Sequence, residues 1–400
     1  MQDTAPAPTS SPAARKRIRF KGEWLTGYLF ILPATVLIGL FGLFPIVYAF
    51  YMSLYRWRVR QGPFVGLDNY QQLVGDWVGA ASFIGGLLLV VVAHSLWIGG
   101  LRFASGWGRW GRLLGALTLL AAGIAISLGW DRLMTTGDRD YFASLVRTFY
   151  YGFISVPIQI ALAITLASML YQNIKGRDWF RMVFFLPYVT PAVAGGAVFR
   201  AIFSPREERF ANQVMTDLGL PAQRWLYETE PVSELVVNYF ITRFGGPGAE
   251  LVNFTGFWAG PSQALLTIII FGIWTYTGYN AVIFMAGLAN IPKNLYEAAK
   301  IDGANGRQQF FHITVPMLSP VTFYLTVLGF IGTFQAFTQL YVMRSPATRD
   351  AVDTASLEIF DMFYLRNNFS MAAAQSIFLF VIILILTLYN QRILGRRRTS

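Results

Sequence analysis

A charged segment at residues 290–316 has the residue types and spacing from which a function can be inferred. Lys293, Glu297 and Lys300 are four and three residues apart, so on a helix they share one face and can form ion pairs. Asn290 can cap the start of this helix, and Pro292 in the first turn removes no helical hydrogen bond. The pattern predicts a short helix with a charged face.

The opposite face of this helix is made of small and apolar residues. Leu295, Ala298 and Ala299 share it, and the two alanines would let another backbone approach closely. Gly303 can adopt the left-handed conformation that ends a helix, so a second short helix is predicted after it. The composition favours docking into a cleft of another protein. An ordinary capped connector is the alternative.

Other kinds of chemistry are excluded by what the chain lacks. It has no cysteine, and two histidines, His94 and His312, cannot form a histidine-rich metal site. None of its five lysines follows a glycine, so it has no phosphate-binding P-loop. We therefore predict no catalytic residue, metal site or nucleotide site, and a partner would have to supply energy for any uphill transport.

The composition indicates a membrane protein. The chain has 400 residues, of which 54% are hydrophobic and only 13% charged, whereas soluble domains have about 25% charged residues. A bilayer core needs roughly 20 apolar residues per helix. Eight apolar runs predict an all-α polytopic membrane protein with about eight transmembrane helices. The runs are 24–54, 77–101, 113–130, 141–171, 182–203, 261–288, 320–342 and 371–394.

Lys and Arg near helix ends favour the cytoplasmic side. With the N-terminus inside, all five lysines lie in cytoplasmic segments, whereas residues 204–260 are acidic and outside. Topology and nearby anionic membrane lipid then explain the net charge of +11, and we expect no nucleic acid partner. Both termini are predicted to be cytoplasmic, with basic tails at residues 1–23 and 395–400. Arg147 and Arg200, near the outer helix ends, are expected to reach water.

The charged segment resembles the signature of the permease subunits of binding-protein-dependent ABC importers. That signature is Glu-Ala-Ala, three residues, Gly, nine residues, Ile, one residue and Leu-Pro, and this chain has Val315 in place of the leucine. The resemblance implies a coupling helix that inserts into a groove of an ATPase subunit. Glu297 would contact a basic group there, and Gly303 would set the turn. The implied coupling residues are Glu297, Ala298, Ala299, Asp302, Gly303, Ala304, Ile313 and Pro316.

Further segments are similar to the sugar, or maltose-type, branch of this family. They are 64–70, 180–187 and 372–374, and the resemblance covers about residues 24–75 and 141–398. Arg344-Ser345-Pro346 departs from the Gly-Gly-Pro common in the family. Residues 77–135 have no counterpart in the six-helix pattern and are predicted to be an inserted helix pair. The first core helix and outer loop are predicted at residues 24–76, and the core domain at residues 136–394. The core domain contains the predicted outer segment, 204–260, and the predicted coupling loop, 290–318.

The resemblance implies a permease subunit in the cell (inner) membrane that is not itself an enzyme. It would form, with a second permease subunit, the path for a carbohydrate delivered by an extracytoplasmic substrate-binding protein. Two ATPase subunits would bind ATP and magnesium, and this chain would bind no cofactor. The outer segment is predicted to form short helices over the outer mouth, where the binding protein would dock.

In maltose-type permeases, the helices beside the coupling loop supply the sugar contacts. Aromatic rings can stack on a sugar ring, and amides can bond its hydroxyls. The implied substrate-path residues are Tyr276, Tyr279, Asn280, Thr333, Phe334 and Gln335, with Tyr279 and Gln335 the leading candidates. Alternatively, the same side chains hold helices together.

Two other classes of protein fit the sequence less well. An ion-coupled secondary carrier would transport alone, but no carboxylate lies deep in an apolar run to serve as a proton or sodium relay. A membrane enzyme acting on lipid would need clustered catalytic residues at one interface, and the sequence shows no such group of Asp, His and Ser.

Overall fold

The computed structural model describes residues 23–102, 106–172, 175–244 and 259–395. The predicted basic tails lie almost wholly outside the described residues. The chain divides into two units, residues 1–48 and 49–400. Helix α1 (Glu23–Ile38) leads through a π-helical turn (Gly39–Leu43) into α2 (Phe44–Ser53), and the boundary between the units falls within α2. Its apolar side chains are exposed, as expected of a helix that faces lipid.

The second unit starts with a hairpin and a short helix. They are β1 (Tyr55–Trp57), antiparallel β2 (Gln61–Phe64) and α3 (Asp68–Val74). The buried Asn69 Nδ2 donates to the carbonyl oxygens of Ser53 and Tyr55, at 2.8 and 2.9 Å. The motif at residues 64–70 therefore ties the hairpin back to the preceding helix end.

The predicted inserted pair forms an antiparallel hairpin of two helices, α4 (Trp77–Arg102) and α5 (Gly106–Thr136). The helices approach closely at Gly86, where a Cβ atom would lie 2.9 Å from the backbone nitrogen of Ile126. Helix α5 is longer than the predicted run 113–130 because its charged end continues the helix, with Arg132 Nη1 2.9 Å from Asp76 Oδ2.

Two of the predicted straight spans are wrong as continuous helices. The predicted run 182–203 is divided between α7 (Arg177–Val189) and α8 (Ala192–Ile202), which follow α6 (Arg139–Tyr171). The axes of α7 and α8 are bent by 97° at Pro191. The residue before a proline is driven into an extended conformation, as Thr190 is.

The second interrupted span is the seventh run, 320–342. Helix α15 ends at Phe334, and α16 begins only at Thr338. The carbonyl of Ala336 in this gap accepts a hydrogen bond from the Ser356 hydroxyl, so a helical partner is replaced by a side chain from another part of the fold.

The outer segment contains short helices, as predicted: α9 (Phe210–Asp217), a 3-10 turn (Trp225–Tyr227) and α10 (Val232–Phe244), with residues 245–258 outside the described part. The buried Asn212 joins α9 to the 3-10 turn. Its Oδ1 accepts from Trp225 Nε1 at 2.7 Å and from the Gln223 backbone nitrogen at 2.9 Å.

The C-terminal half alternates long helices with short ones. In order these are α11 (Gln263–Ala289), α12 (Lys293–Ile301), α13 (Gly306–Gln309), a π turn (Phe310–Thr314), α14 (Val315–Met317), α15 (Ser319–Phe334), α16 (Thr338–Met343), a 3-10 turn (Pro346–Thr348), α17 (Arg349–Val352), α18 (Ala355–Tyr364) and α19 (Phe369–Gly395). Among the described residues, six helices are long and apolar enough to cross a membrane, or up to eight if each of two bent pairs is one span. This confirms the predicted all-α polytopic class.

Helix α6 is central to the core. Tyr141, Tyr151 and Ala163, spaced along it, belong to three separate buried apolar clusters. Arg147 is half-buried, and its Nη1 donates to the Asp353 carbonyl oxygen at 2.7 Å, so it also contacts the fold. Arg200 is exposed and donates to the Val342 carbonyl oxygen at 3.2 Å.

Candidate functional site

The predicted coupling helix, α12, has no buried residue. Glu297, Ala298 and Asp302 are exposed, and Ala299 is half-buried. The apolar side chain of Ile301 is 87% exposed at the end of the helix. Single exposed apolar side chains are common on protein surfaces, so Ile301 alone does not identify a docking surface.

The start of α12 differs from the prediction. Asn290 ends α11 and its Nδ2 donates to the Ala286 carbonyl oxygen at 3.0 Å, so Pro292 occupies the N-cap of α12. The predicted pairing is also wrong: among the described residues, Glu297 forms no ion pair with Lys293 or Lys300. Exposed pairs gain little energy and lose side-chain entropy, so these charges stay separate.

The predicted turn at Gly303 is confirmed. Gly303 has a φ of 78°, a left-handed conformation that glycine adopts without a steric penalty. The Ala304 backbone nitrogen donates to the Ala299 carbonyl oxygen at 2.8 Å and closes the end of α12. Helix α13 then starts with a capping box formed by Asn305 and Gln308.

The coupling segment is fastened to the membrane helices behind it. Tyr296 Oη lies 3.0 Å from Thr314 Oγ1, which joins α12 to the π turn. Tyr296 and Phe310 pack against a buried cluster that includes Ala167 of α6 and Leu288 of α11. Ile313 and Ala304 are half-buried, whereas Pro316 is exposed. A force on the exposed side of α12 would therefore reach the helix bundle.

Two predicted substrate-path residues belong to a tyrosine cluster between α7 and α11. Tyr279 stacks on Tyr188 with ring centroids 4.3 Å apart, and Tyr276 lies 6.0 Å from the same ring. The helices meet at Gly278, where a Cβ atom would collide with the Phe184 carbonyl oxygen. Sequence reasoning missed Tyr188, although it directly follows the Leu186-Pro187 pair that was noted in the family motif.

The other predicted path residues have different environments. Asn280 is buried in α11. Thr333 and Phe334 are buried in α15, where Phe334 is 1% exposed and packs edge-on against Phe149 of α6 with centroids 5.2 Å apart. Gln335 is exposed at the end of α15. In this conformation Thr333 and Phe334 are packing residues, and the structure does not bring the six into one pocket.

Residues 159–400 match the family model described as binding-protein-dependent transport system inner membrane component. The chain belongs to this family. It is therefore a multi-pass membrane protein of a transport system. Membership of this family also supports a substrate-binding protein as its partner.

Individual proteins extend the similarity over nearly the whole chain. The arabinooligosaccharides transport system permease protein AraP of Bacillus subtilis is 27% identical over 98% of this chain and 95% of its own length. A chain from a bacterial ABC transporter involved in the import of the acidic polysaccharide alginate is 19% identical, covers 95% of this chain and 98% of its own, and has a TM-score of 0.58. These alignments include most of the inserted helix pair.

A second solved structure is a bacterial alginate ABC transporter in complex with an alginate pentasaccharide-bound periplasmic protein. It matches 66% of this chain and 81% of its own with a TM-score of 0.53 and 19% identity, which shows a shared fold. These comparisons give no support to the ion-coupled secondary carrier.

Proposed function

We propose that this chain is the permease subunit of an ATP-binding-cassette importer for a carbohydrate, most specifically an oligosaccharide. With a second permease subunit it would form the path for a sugar delivered by an extracytoplasmic binding protein. The observation that carries the proposal is α12, which is exposed along its length, turned at Gly303 and fastened to α6 and α11, in a chain of the binding-protein-dependent family.

The proposed partner at α12 is one of the two ATPase subunits of the transporter, which would bind the ATP and magnesium that this chain does not. Exposed Ile301 would enter an apolar groove, and Glu297 is free of ion pairs with its helical neighbours and so available to a basic group. Closure of the ATPases would push α12, and Tyr296 would pass that movement to Thr314 and α15. This assignment places α12 and both termini in the cytoplasm.

The proposed sugar contacts are the tyrosine cluster and Gln335. The rings of Tyr188 and Tyr279 offer aromatic faces, and Gln335 offers an exposed amide. AraP, whose name gives arabinooligosaccharides as its cargo, and the alginate transporters support an oligosaccharide over a single sugar. The role of the outer segment is to dock the binding protein, since Asn212 orders its short helices.

The ATPase partnership is tested by pulling the tagged full chain from its native membrane in mild detergent. Mass spectrometry should recover a P-loop ATPase and a second permease. Glu297→Lys and Gly303→Asp should lose the ATPase, whereas Glu208→Lys, an equal charge reversal on the exposed outer segment, should retain it. Recovery of the chain alone, or of the ATPase with both α12 variants, would contradict the proposal.

The sugar path is tested by uptake of labelled oligosaccharide in cells that express the complete transporter. Tyr279→Ala should lower uptake, whereas Tyr279→Phe should retain most of it, because stacking needs the ring and not the hydroxyl. Tyr171→Ala, a tyrosine at the far end of α6, is the matched control. Equal uptake by Tyr279→Ala and the control would remove Tyr279 from the path.

A further inference from the structure

The connector between α16 and α19, residues 344–366, buries most of its charge. Arg344 Nη1 lies 3.0 Å from Asp353 Oδ2 and 3.0 Å from Asp361 Oδ2, and its Nη2 donates to Asp361 Oδ1 at 3.0 Å. Arg349 Nε lies 3.5 Å from Asp361 Oδ2. We call the whole group the buried ion cage: Arg147, Arg344, Arg349, Asp353, Glu358, Asp361 and Arg366.

The buried ion cage fastens the connector to α6. Besides the bond from Arg147 to the Asp353 carbonyl, the Thr148 hydroxyl accepts from the Ala355 backbone nitrogen at 2.9 Å. Arg366 bridges the two sides, 3.5 Å from Asp140 Oδ2 and 3.3 Å from Glu358 Oε1. None of these residues belongs to the coupling segment or to the tyrosine cluster.

The cage surrounds a cavity of about 160 Å³ in which carboxylates outnumber the arginines. Its charged lining is Asp140, Asp350, Asp353, Glu358 and Asp361 with Arg147, Arg349 and Arg366. Asp353 is 3% exposed and Glu358 is 6% exposed. Asp353 Oδ1 accepts no hydrogen bond from the described residues, and the partner of Glu358 Oε1 is Arg366 Nη1, 3.3 Å away in an ion pair. A buried acceptor without a donor is destabilising, and a proton on either oxygen would convert it into a donor.

A metal ion does not fit the cavity. Within the part of the chain that the structure describes, no three His, Cys, Asp or Glu side chains are arranged to hold one. The arginine groups inside the carboxylate ring would also repel a cation. A proton neutralises one carboxylate without needing several ligands, so it fits both the excess of carboxylates in the cavity lining and the buried oxygen of Asp353 that lacks a donor.

We propose that the buried ion cage is a proton-binding site, in which one proton taken up by Asp353 or Glu358 tightens the docking of the connector on α6. Uptake forms one O–H bond on a carboxylate oxygen, with the proton supplied by water, and breaks no other covalent bond. Residues 344–366 would then be a link whose attachment to the bundle responds to pH.

The ionisation of the two carboxyls agrees with this assignment, and both lie outside the candidate membrane spans. Burial raises the pKa of Asp353 to about 6 and the pKa of Glu358 to about 7. In an undocked, solvated connector both pKa values would return to about 4. The docked state therefore loses stability as the pH rises from about 4 to about 7, and the loss is complete above that range.

The charged and titratable groups that face the two carboxyls come from each packed element. They are Asp138, Asp140 and Arg147 at α6, Tyr341 and Arg344 at α16, Arg349 and Asp350 in α17, Asp361 in α18 and Arg366 after it. Asp138, Asp140 and Asp361 raise the pKa of Glu358 and Arg366 lowers it, whereas Arg344 and Arg147 lower the pKa of Asp353.

The test is amide hydrogen exchange of residues 349–366 in the full chain, purified with the subunits it retains, from pH 5.5 to pH 8.0. Each rate is divided by that of an unstructured peptide of the same sequence, which removes the intrinsic pH dependence. With a pKa near 7 docked and near 4 undocked, the corrected rate should rise about tenfold or more between these pH values. A corrected rate that is independent of pH would overturn the proposal.

Two variants locate the proton. Glu358→Gln and Asp353→Asn imitate a protonated carboxyl, and at least one should exchange slowly at pH 8.0 and lose the pH dependence. Asp350→Asn, on the exposed rim of the same cavity, should behave like the parent. The proposal is overturned if both neutral variants keep the parent's pH dependence, or if both unfold, because the neutralised cage must be the more stable one. This readout does not depend on transport, so it is independent of the proposed import function.

Discussion

Two charged links lie on either side of the interrupted α15–α16 span and use the same residue types in opposite ways. The coupling loop, residues 290–318, exposes Glu297 and Lys300 without an ion pair between them. The connector, residues 344–366, buries Arg344 between Asp353 and Asp361. Exposed charges remain available to a partner, whereas buried charges stabilise the fold only while every partner is present.

The largest effect is expected in the connector. Arg344→Met should lower the free energy of unfolding by about 3 kcal/mol or more, because it leaves the buried Asp353 without an ion-pair partner and Asp361 with only Arg349. Arg344→Lys, which keeps the charge but cannot bond both oxygens of Asp361, should fall between this variant and the parent. Thermal unfolding in detergent measures all three, and equal midpoints would show that the network adds no stability.

The outer segment provides an uncharged counterpart to the buried network. Asn212→Ala would leave Trp225 Nε1 and the Gln223 backbone nitrogen without their acceptor, a loss of about 2 kcal/mol. Hydrogen exchange should therefore rise across residues 204–227. Gln213→Ala, an exposed neighbour in α9, should leave exchange unchanged. A similar rise in both variants would show that Asn212 does not organise the segment.

A smaller effect is expected at the turn of the coupling loop. Gly303→Ala should destabilise the turn by about 1 kcal/mol, because a side chain at a φ of 78° is strained although no atom lies within 4 Å of its Cβ position. Gly303→Asn should lose less, since asparagine tolerates this conformation. Exchange in α12 and retention of the ATPase measure the difference, and an identical result for both variants would mean that backbone strain is not the cause.

The smallest effect on stability is expected at Glu297. Glu297→Gln removes a charge that forms no ion pair with the described residues, so stability should change by less than about 0.5 kcal/mol. ATPase recovery should nevertheless fall. If Glu297→Gln lost as much stability as Arg344→Met, the charges of residues 290–318 and those of residues 344–366 would not differ in their contribution to stability.

Much of the architecture could be predicted because lipid imposes a simple rule on sequence. Long apolar runs located the membrane helices, and the spacing of Glu297, Gly303 and Ile313 located the coupling loop and its turn. Both signals are local, so neighbouring residues along the chain contain them completely. The Asn290 cap and the ion pairs of α12 were predicted wrongly. The spacing of residues along the chain shows which side-chain contacts are possible, but it does not show which of them form.

The substrate path was harder to predict because it depends on contacts between distant helices. Nothing along the chain indicates that Tyr188 stacks on Tyr279, or that Phe334 is buried against Phe149. Likewise, the apolar run 320–342 does not indicate the break at residues 335–337. The carbonyl oxygen of Ala336 in that break is satisfied by the hydroxyl of Ser356, which is distant in sequence.

By itself, the sequence determined that this protein is a helical membrane component with a charged loop that turns at Gly303, because hydropathy and a spaced motif are properties of neighbouring residues. Only the tertiary structure decided what the charges of residues 344–366 do. In sequence they resemble a solvated loop, but folding places Arg147 of α6 against Asp353, 206 positions away, and buries the Asp353 side chain. Burial and pairing over such separations depend on how helices pack, which no local pattern specifies.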